Sequence, residues 1–188
     1  MRDRVDDYLN DIANISRELD AGAIIKIIGI FKDAHKKRKK IYVIGNGGSA
    51  ATANHFACDL GKNATRKDND RFAIISLCND ISCITAYGND EGYETIFEEQ
   101  LKNFLDKGDI LFCISASGNS PNIIRAAEYA KNKKRTVVGL TGFKGGKLKD
   151  IADQNITVFS DSFEKIEDIH LVITHVTVYC FKQYLSEA

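Results

Sequence analysis

The chain has 188 residues, of which 44% are hydrophobic and 28% are charged. This composition is typical of a globular domain with a sizeable core. Its 26 Lys and Arg residues balance 26 Asp and Glu residues, so the sequence lacks the basic surface expected of a nucleic-acid-binding domain. No apolar stretch approaches the roughly 20 residues that span a bilayer, and we expect no membrane association.

The cysteine pattern bears on the compartment. Five cysteines are present, an odd number, and none are in C-x-x-C spacing. We therefore expect neither a disulfide framework nor a zinc site built from cysteines. The N-terminus is polar and charged, which does not resemble a signal peptide. Together these features predict a cytoplasmic protein.

The N-terminal region, residues 3–40, is predicted to be helical in two pieces because its apolar residues recur at helical spacing. Its second piece is so densely apolar that we expect it to pack on another subunit. From residue 41 onwards strand and helix patterns alternate. The predicted strands are 41–45, 72–78, 109–115, 135–140 and 155–159. The predicted helices are 49–62, 121–133 and one within 163–185, with short helical segments in 80–105 and a turn around Gly145 and Gly146.

The predicted strands are continuous apolar runs, which indicates strands covered on both faces. Strands that alternate with helices imply a parallel sheet with right-handed crossovers. We therefore predict an α/β fold: a three-layer α/β/α sandwich with a five-stranded parallel sheet. The chain is predicted to be a single domain over 1–188, with a helical extension at 1–40 and an α/β core at 41–188.

Two loops that follow predicted strands consist of small and polar residues. Residues 45–50 read GNGGSA, and residues 115–121 read SASGNSP. Each loop opens into a predicted helix, where small side chains let the backbone approach a ligand and unpaired N–H groups suit a phosphate. Carboxyl ends of parallel strands share one edge of a sheet, so the loops together indicate a phosphorylated, polyhydroxylated small molecule. Asn89 and Asp90 follow the second strand's crossover and can reach the same edge.

Other interpretations of the loops remain open. The first loop matches the G-x-G-x-x-A dinucleotide fingerprint, but that motif wants an acidic residue about 20 positions later, at the end of the second strand. Here the second strand is predicted to end near Cys78, well beyond that spacing. A tight turn without a ligand also explains the first loop. In the second loop, Ser115, Ser117 and Ser120 include hydroxyls suited to helix capping, although three serines exceed what a turn needs.

Histidines and carboxylates occur on two predicted helices. His55 and Asp59 lie four residues apart and share a helix face, which suits a metal site, an acid–base pair or a salt bridge. The last helix carries Glu167, His170 and His175 among apolar residues. A buried histidine needs a partner, and Glu167 is a candidate partner for His170. On an ideal helix Glu167 and His175 are about 12 Å apart, so binding both to one ion needs an irregular helix or a second subunit.

At this point the residues resemble a known family. The stretches GNGGSAATANHFACDL at 45–60, AYGNDEGYETIF at 86–97, ISASGNSPNIIRA at 114–126, LTGFKGGKL at 140–148 and EKIEDIHLVITH at 164–175 are similar to the SIS (sugar isomerase) fold. Within it they resemble the phosphoheptose isomerases, which interconvert sedoheptulose 7-phosphate and D-glycero-D-manno-heptose 7-phosphate. The resemblance covers nearly the whole chain from residue 41.

The resemblance implies roles for individual residues. It makes Ser115, Ser117 and Ser120 a phosphate grip, with Ala116 where the family usually has threonine. Substrate contacts are implied for the first loop and the crossover segment: Asn46, Gly47, Gly48, Ser49, Asn89 and Asp90. It also implies a Zn²⁺ ion in each subunit, with His55, Asp59, Glu167 and His175 as metal residues, and further substrate contacts from Asp59 and Glu167.

Two positions depart from the family pattern. Asp59 stands where the family usually has a glutamate that serves as ligand and catalytic base, and Glu167 stands where it usually has a glutamine that binds metal and substrate. The first change shortens the side chain by one methylene, and the second adds a charge. A zinc ion held by two histidines and one or two carboxylates remains chemically reasonable.

These residues suit an aldose–ketose isomerisation through an enediol(ate), which needs a base near carbon and an acid at the carbonyl oxygen. We assign Asp59 as base and His175 as acid, with catalysis at the interfaces of a homotetramer. Two alternatives stay open. One is a non-catalytic sugar-phosphate-binding protein, of the sensor or replication-initiator-associating kind. The other is an isomerase of a shorter phosphosugar, such as a pentose 5-phosphate.

Overall fold

The structure is a computed structural model that describes residues 1–64 and 71–187, with side chains through Leu185. Its helices are α1 (Arg2–Glu18), α2 (Ala21–Lys36), α3 (Gly48–Asn63), α4 (Ile81–Asp90), α5 (Ile96–Phe104), α6 (Pro121–Asn132), α7 (Gly146–Ile151) and α8 (Phe163–Glu187). Its strands are β1 (Lys40–Gly45), β2 (Ala73–Ser76), β3 (Ile110–Ser115), β4 (Thr136–Gly142) and β5 (Gln154–Val158). A short 3₁₀ helix, Tyr93–Thr95, joins α4 to α5.

The strands form one sheet in the order β2-β1-β3-β4-β5. Every pairing in it is parallel, which confirms the predicted five-stranded parallel sheet. The register pairs Gly45 with Ile114 and Ser115 with Thr141. The carboxyl ends of β1, β3 and β4 therefore reach the same edge, and both predicted ligand loops leave from it.

Apolar packing on both faces of the sheet makes the three layers. On one face, Phe31 of α2 and Phe56 of α3 each pack edge to face on Phe112 of β3, and their two rings also contact each other. Residues of α8 belong to the same cluster. On the other face, α5, α6 and α7 cover residues such as Tyr42 and Leu111. The α/β/α sandwich is confirmed.

Two details differ from what the sequence pattern predicts. Strand β2 lies at the sheet edge, and Ile75 is 44% exposed, although its apolar run predicts cover on both faces. The predicted turn at Gly145 and Gly146 continues into the short helix α7. Among the described residues, no helix is long and apolar enough to cross a membrane.

The predicted pair of N-terminal helices is present, but α1 contains no buried residue. Its Ile12 and Ile15 pack against the core cluster, and two hydrogen bonds join it to α8. Tyr8 donates a hydrogen bond to Asp168 over 2.6 Å, and Lys165 reaches Asp11 over 2.5 Å. The bond to Asp168 raises the pKa of Tyr8 to about 12. Val5 and Leu9 of α1 are exposed and have little cover from the part of the chain that the structure describes.

Candidate active site

A cavity of 140 Å³ lies where β1 and β3 end. It is lined by both loops and by the start of α8: Asn46, Ser49, Ile114, Ser115, Ala116, Ser117, Ser120, Phe163 and Glu167. The structure thus brings the three predicted serines together with Asn46, Ser49 and Glu167. Gly118 has φ +61°, and a side chain there would strike the carbonyl oxygen of Gly145, so the serine loop closes tightly on the β4–α7 turn.

The serine hydroxyls keep their hydrogens free to donate. Ser115 Oγ accepts a hydrogen bond from the Gly118 N–H, and Ser117 Oγ accepts one from the Asn119 N–H, each over 3.2 Å. In both bonds the oxygen accepts, so the hydroxyl hydrogen remains available to a ligand. Ser120 is the N-cap of α6 but makes no side-chain capping bond, which leaves its hydroxyl for the cavity as well.

The first loop meets the second through a pair of amides. Asn46 Nδ2 donates to Asn122 Oδ1 over 2.9 Å, and Asn122 Nδ2 donates to Asn46 Oδ1 over 2.9 Å. The Tyr93 hydroxyl donates to Asn46 Oδ1 over 3.1 Å. Asn122 and Tyr93 were not predicted as site residues. An asparagine early in a helix and a tyrosine in a connecting segment carry no signal of such a contact.

Helix α3 begins at Gly48, directly beside the Glu167 carboxyl group of α8; a Cβ at Gly48 would overlap that carboxyl group. Gly47 before it has φ +54°, a conformation that favours glycine. Burial, followed by the charges of Glu164 and Asp168, raises the pKa of Glu167. Glu167 therefore lies at the junction of the serine cavity, the first loop and α8.

A second cluster lies further along α3 and α8. Nitrogen atoms of His55 and His175 and a carboxylate oxygen of Asp59 lie within 4.8 Å of one another. Asp59 Oδ2 is 3.3 Å from His55 Nε2 and 3.7 Å from His175 Nε2, while Asp59 Oδ1 accepts a hydrogen bond from Asn63. The expected meeting of His55 and His175 occurs within one chain.

Glu167 does not belong to that cluster of ligand atoms. It lies on the same continuous helix as His175, eight residues earlier, which is about 12 Å along the axis. The structure thus places Glu167 at the serine cavity, and its role as a metal ligand stays a prediction.

His170 has a different partner from the one suggested by sequence spacing. Its side chain is completely buried, and its Nε2 lies 3.1 Å from the carbonyl oxygen of Thr141, whereas Glu167 lies at the cavity. Burial lowers the pKa of His170 to about 4, so the ring is neutral near pH 7. In that form its Nε2–H donates to Thr141, and this bond fastens α8 to β4 next to the site.

Asn89 and Asp90 lie at the end of α4, where both are exposed and bonded to each other over 2.7 Å. Neither lines the serine cavity. Asp80, the acidic residue nearest the end of β2, caps α4 by accepting from the Cys83 N–H. The predicted substrate contacts of Asn89 and Asp90 remain predictions.

Comparison with known proteins agrees with this geometry. A family model described as SIS domain matches residues 7–142. The chain belongs to the SIS domain family. That match includes most of α1, all of α2 and the four strands that carry or neighbour the two loops.

Individual SIS-domain relatives are similar over most of their length. The phosphoheptose isomerase of Helicobacter hepaticus is 40% identical over 82% of this chain and 78% of its own. The phosphoheptose isomerase of Nitratiruptor sp. is 42% identical over 77% and 76%. The solved structure of phosphoheptose isomerase from Neisseria gonorrhoeae superposes with a TM-score of 0.87 at 28% identity, covering 97% of this chain and 98% of that one.

Proposed function

We propose that this chain is a phosphoheptose isomerase that interconverts sedoheptulose 7-phosphate and D-glycero-D-manno-heptose 7-phosphate through an enediol(ate). One observation carries the proposal: α3 and α8 together hold a cluster of two imidazoles and a carboxylate and, elsewhere along their length, line the serine cavity. The names of the relatives at 40% and 42% identity support the same reaction.

The spacing of the two ends favours a long phosphosugar. Glu167 at the cavity and His175 in the cluster are about 12 Å apart along α8. Carbon–carbon bonds of about 1.5 Å advance an extended chain by roughly 1.3 Å each. The six bonds of a heptose then span roughly 8 Å and the four bonds of a pentose roughly 5 Å, before the phosphate is added. A seven-carbon chain suits this separation better than a five-carbon one.

Zinc fits the donor set. Two imidazole nitrogens and one carboxylate oxygen are the protein ligands of many catalytic zinc sites, and tetrahedral ligands at their usual distance lie roughly 3.4 Å apart. The separations of 3.3 Å and 3.7 Å from Asp59 to the two imidazoles match this value. We propose that His55, Asp59 and His175 hold the ion. When bound, zinc supplies a Lewis acid for the sugar carbonyl.

The side chains divide the remaining work. Ser115, Ser117 and Ser120 bind the phosphate and orient the chain, a contribution mainly of positioning. Asp59 takes the proton from one of the two carbons and returns it to the other. His175 gives a proton to the carbonyl oxygen and takes one from the neighbouring hydroxyl group as the new carbonyl forms, so both side chains end in their starting state. Of the two departures from the family pattern, Asp59 keeps a carboxylate in the cluster, whereas Glu167 adds one at the serine cavity.

We further propose that residues 1–188 form one domain, that the protein is cytoplasmic, and that it works as a homotetramer. The uncovered apolar residues of α1 support an assembly. The five unpaired cysteines are consistent with a reducing compartment.

The proposed activity is tested by incubating the purified protein with sedoheptulose 7-phosphate and following the aldose product. We expect Asp59→Asn and His175→Gln each to abolish turnover, while circular dichroism and the Tm of the zinc-free protein stay close to wild type. Asp33→Asn, the same change on an exposed position of α2, is the matched control and keeps full activity.

Wild-type rates in either site variant would remove its catalytic assignment. A thermal shift with sedoheptulose 7-phosphate but no turnover, with or without zinc, would favour the non-catalytic alternative. Faster turnover of a pentose 5-phosphate would favour the shorter substrate. Metal analysis of His175→Gln also separates the two proposed roles of His175, metal ligand and general acid. A variant that has lost its activity but keeps the ion has lost only the acid.

A further inference from the structure

Asn122 forms part of a closed arrangement of amides. It lies in the first turn of α6, is 1% exposed, and exchanges two hydrogen bonds with Asn46 across the two loops. A reciprocal pair of this kind is satisfied in two ways, because turning both amides over exchanges donors and acceptors but keeps both bonds. Some other group has to select one of the two orientations.

The backbone of α6 makes that selection. The Ile123 N–H lies 2.9 Å from Asn122 Oδ1, and a backbone N–H is only ever a donor. The atom of Asn122 that faces Ile123 is therefore its oxygen. The same oxygen accepts from Asn46 Nδ2, and Asn122 Nδ2 must then meet Asn46 Oδ1.

Among the residues that the structure describes, the fixed orientation leaves the Asn46 side chain with one unused hydrogen-bonding group. Its Oδ1 accepts from Asn122 and from the Tyr93 hydroxyl, which uses both lone pairs. One of its two N–H bonds goes to Asn122. The second N–H is what remains, and Asn46 lines the serine cavity.

We propose that Asn122 is a positioning residue for substrate binding: through the reciprocal pair it holds Asn46 so that Asn46 offers a donor to an oxygen of the phosphosugar. Asn122 itself does not touch the ligand. This inference rests on the proposed function for the nature of the ligand. In this arrangement the N-terminus of α6 determines which polar atom of the first loop faces the cavity.

The test is a double-mutant cycle between Asn46→Ala and Asn122→Ala, with KM, kcat and the dissociation constant for sedoheptulose 7-phosphate measured for each variant. We expect Asn122→Ala to raise KM and the dissociation constant roughly tenfold, as loss of one hydrogen bond to a charged or polar oxygen does, with kcat little changed. In the Asn46→Ala background it should add almost nothing, because it acts through Asn46.

Asn122→Asp is a second variant of nearly identical shape, in case removal of the amide prevents folding. It keeps the acceptor for Ile123 but lacks the donor for Asn46, so it should also raise KM. If its added charge acted directly on the phosphate, KM would rise further in the Asn46→Ala background as well. Asn132→Ala and Asn132→Asp, at the exposed end of the same helix, are matched controls and should leave KM unchanged.

The positioning role would be overturned if the effects of the two substitutions were additive, or if KM were unchanged. A loss of kcat at constant KM would also overturn it, because that result indicates only a smaller fraction of folded protein. Failure of the proposed function can be distinguished from failure of the positioning role, because in that case the wild-type protein does not turn over the heptose phosphate. The dissociation constants then still test the amide pair, and a wild-type protein that does not bind the ester overturns both proposals.

Discussion

Close packing around the cavity leaves no room for a side chain at Gly48. The Glu167 carboxyl group occupies the space that a side chain at position 48 would need. Since a carboxyl group is the far end of a flexible side chain, Gly48→Ala should displace it and leave the fold intact. Glu167 would then no longer line the cavity in its present place.

We expect Gly48→Ala to weaken binding of sedoheptulose 7-phosphate at least tenfold, the effect of misplacing one polar contact. Isothermal titration measures it. Gly29→Ala is the matched control, because nothing lies within 4 Å of a Cβ there. It should bind normally and be more stable by roughly 1 kcal/mol, since alanine is the better helix former. Equal affinity in the two variants would contradict the arrangement of Glu167.

The buried His170 makes stability depend on pH. Its pKa is about 4 in the folded chain and 6.5 without burial, so the unfolded state binds the extra proton between these values. The stabilisation is present above pH 6.5 and is lost as the pH falls through that window, by about 3 kcal/mol in all. Urea unfolding at pH 7 and pH 4.5 should show a smaller decrease for His170→Gln. Equal decreases would exclude His170 as the source.

Residue types and their spacing predicted some residues of the site and missed others. Three serines in one turn and a His–Asp pair on one helix face carry chemistry in their spacing, and the structure brings each group together. Asn122 and Tyr93 carried no such signal, because their importance comes from contacts between segments 76 and 47 positions away from Asn46. The partner of His170 was missed for the same reason, since Thr141 belongs to β4 and lies 29 positions away in the sequence.

At the scale of elements, α3 and α8 form the scaffold of the metal cluster. Their arrangement was predictable only in part. The spacing of apolar residues predicted both helices, but it did not predict that the two helices pack side by side. Helix α7 was missed because Gly145 and Gly146 predict a turn, and six residues are too few for a clear period. Strand β2 was predicted, but its place at the edge depends on the strand order.

A zinc ion bound between α3 and α8 should stabilise the fold, because binding to the native state alone shifts the unfolding equilibrium. At zinc concentrations about 100-fold above the dissociation constant we expect a gain of about 3 kcal/mol, seen as a higher Tm. His55→Ala should lose this shift, whereas Cys58→Ser, an exposed position on the same helix, should keep it. A shift that persists in His55→Ala would place the ion elsewhere.

At the scale of the whole molecule, the predicted sandwich, strand number and strand direction are confirmed. Alternating strand and helix patterns determine these features through general packing rules. Assembly is a separate matter. The sequence predicts a densely apolar second helix, and the structure buries Ile24, Ile27 and Phe31 of α2 in this chain's own core. In the structure Leu9 is 60% exposed and Val5 52% exposed.

If α1 packs on a second copy, a charge in its apolar stripe should disrupt the assembly. We expect Leu9→Glu to shift the mass measured by light scattering from tetramer to smaller species. Asn10→Glu, with the same charge on the neighbouring exposed position, should remain tetrameric. A monomeric wild-type protein would refute the proposed assembly outright.

The two imidazoles of the metal cluster are 47% and 49% exposed in the isolated chain. A reactive enediolate formed beside them would meet bulk water unless a neighbouring copy closed over it. Specific activity should therefore fall on dilution, at the protein concentration where subunits separate, even though every side chain assigned to the chemistry belongs to one polypeptide.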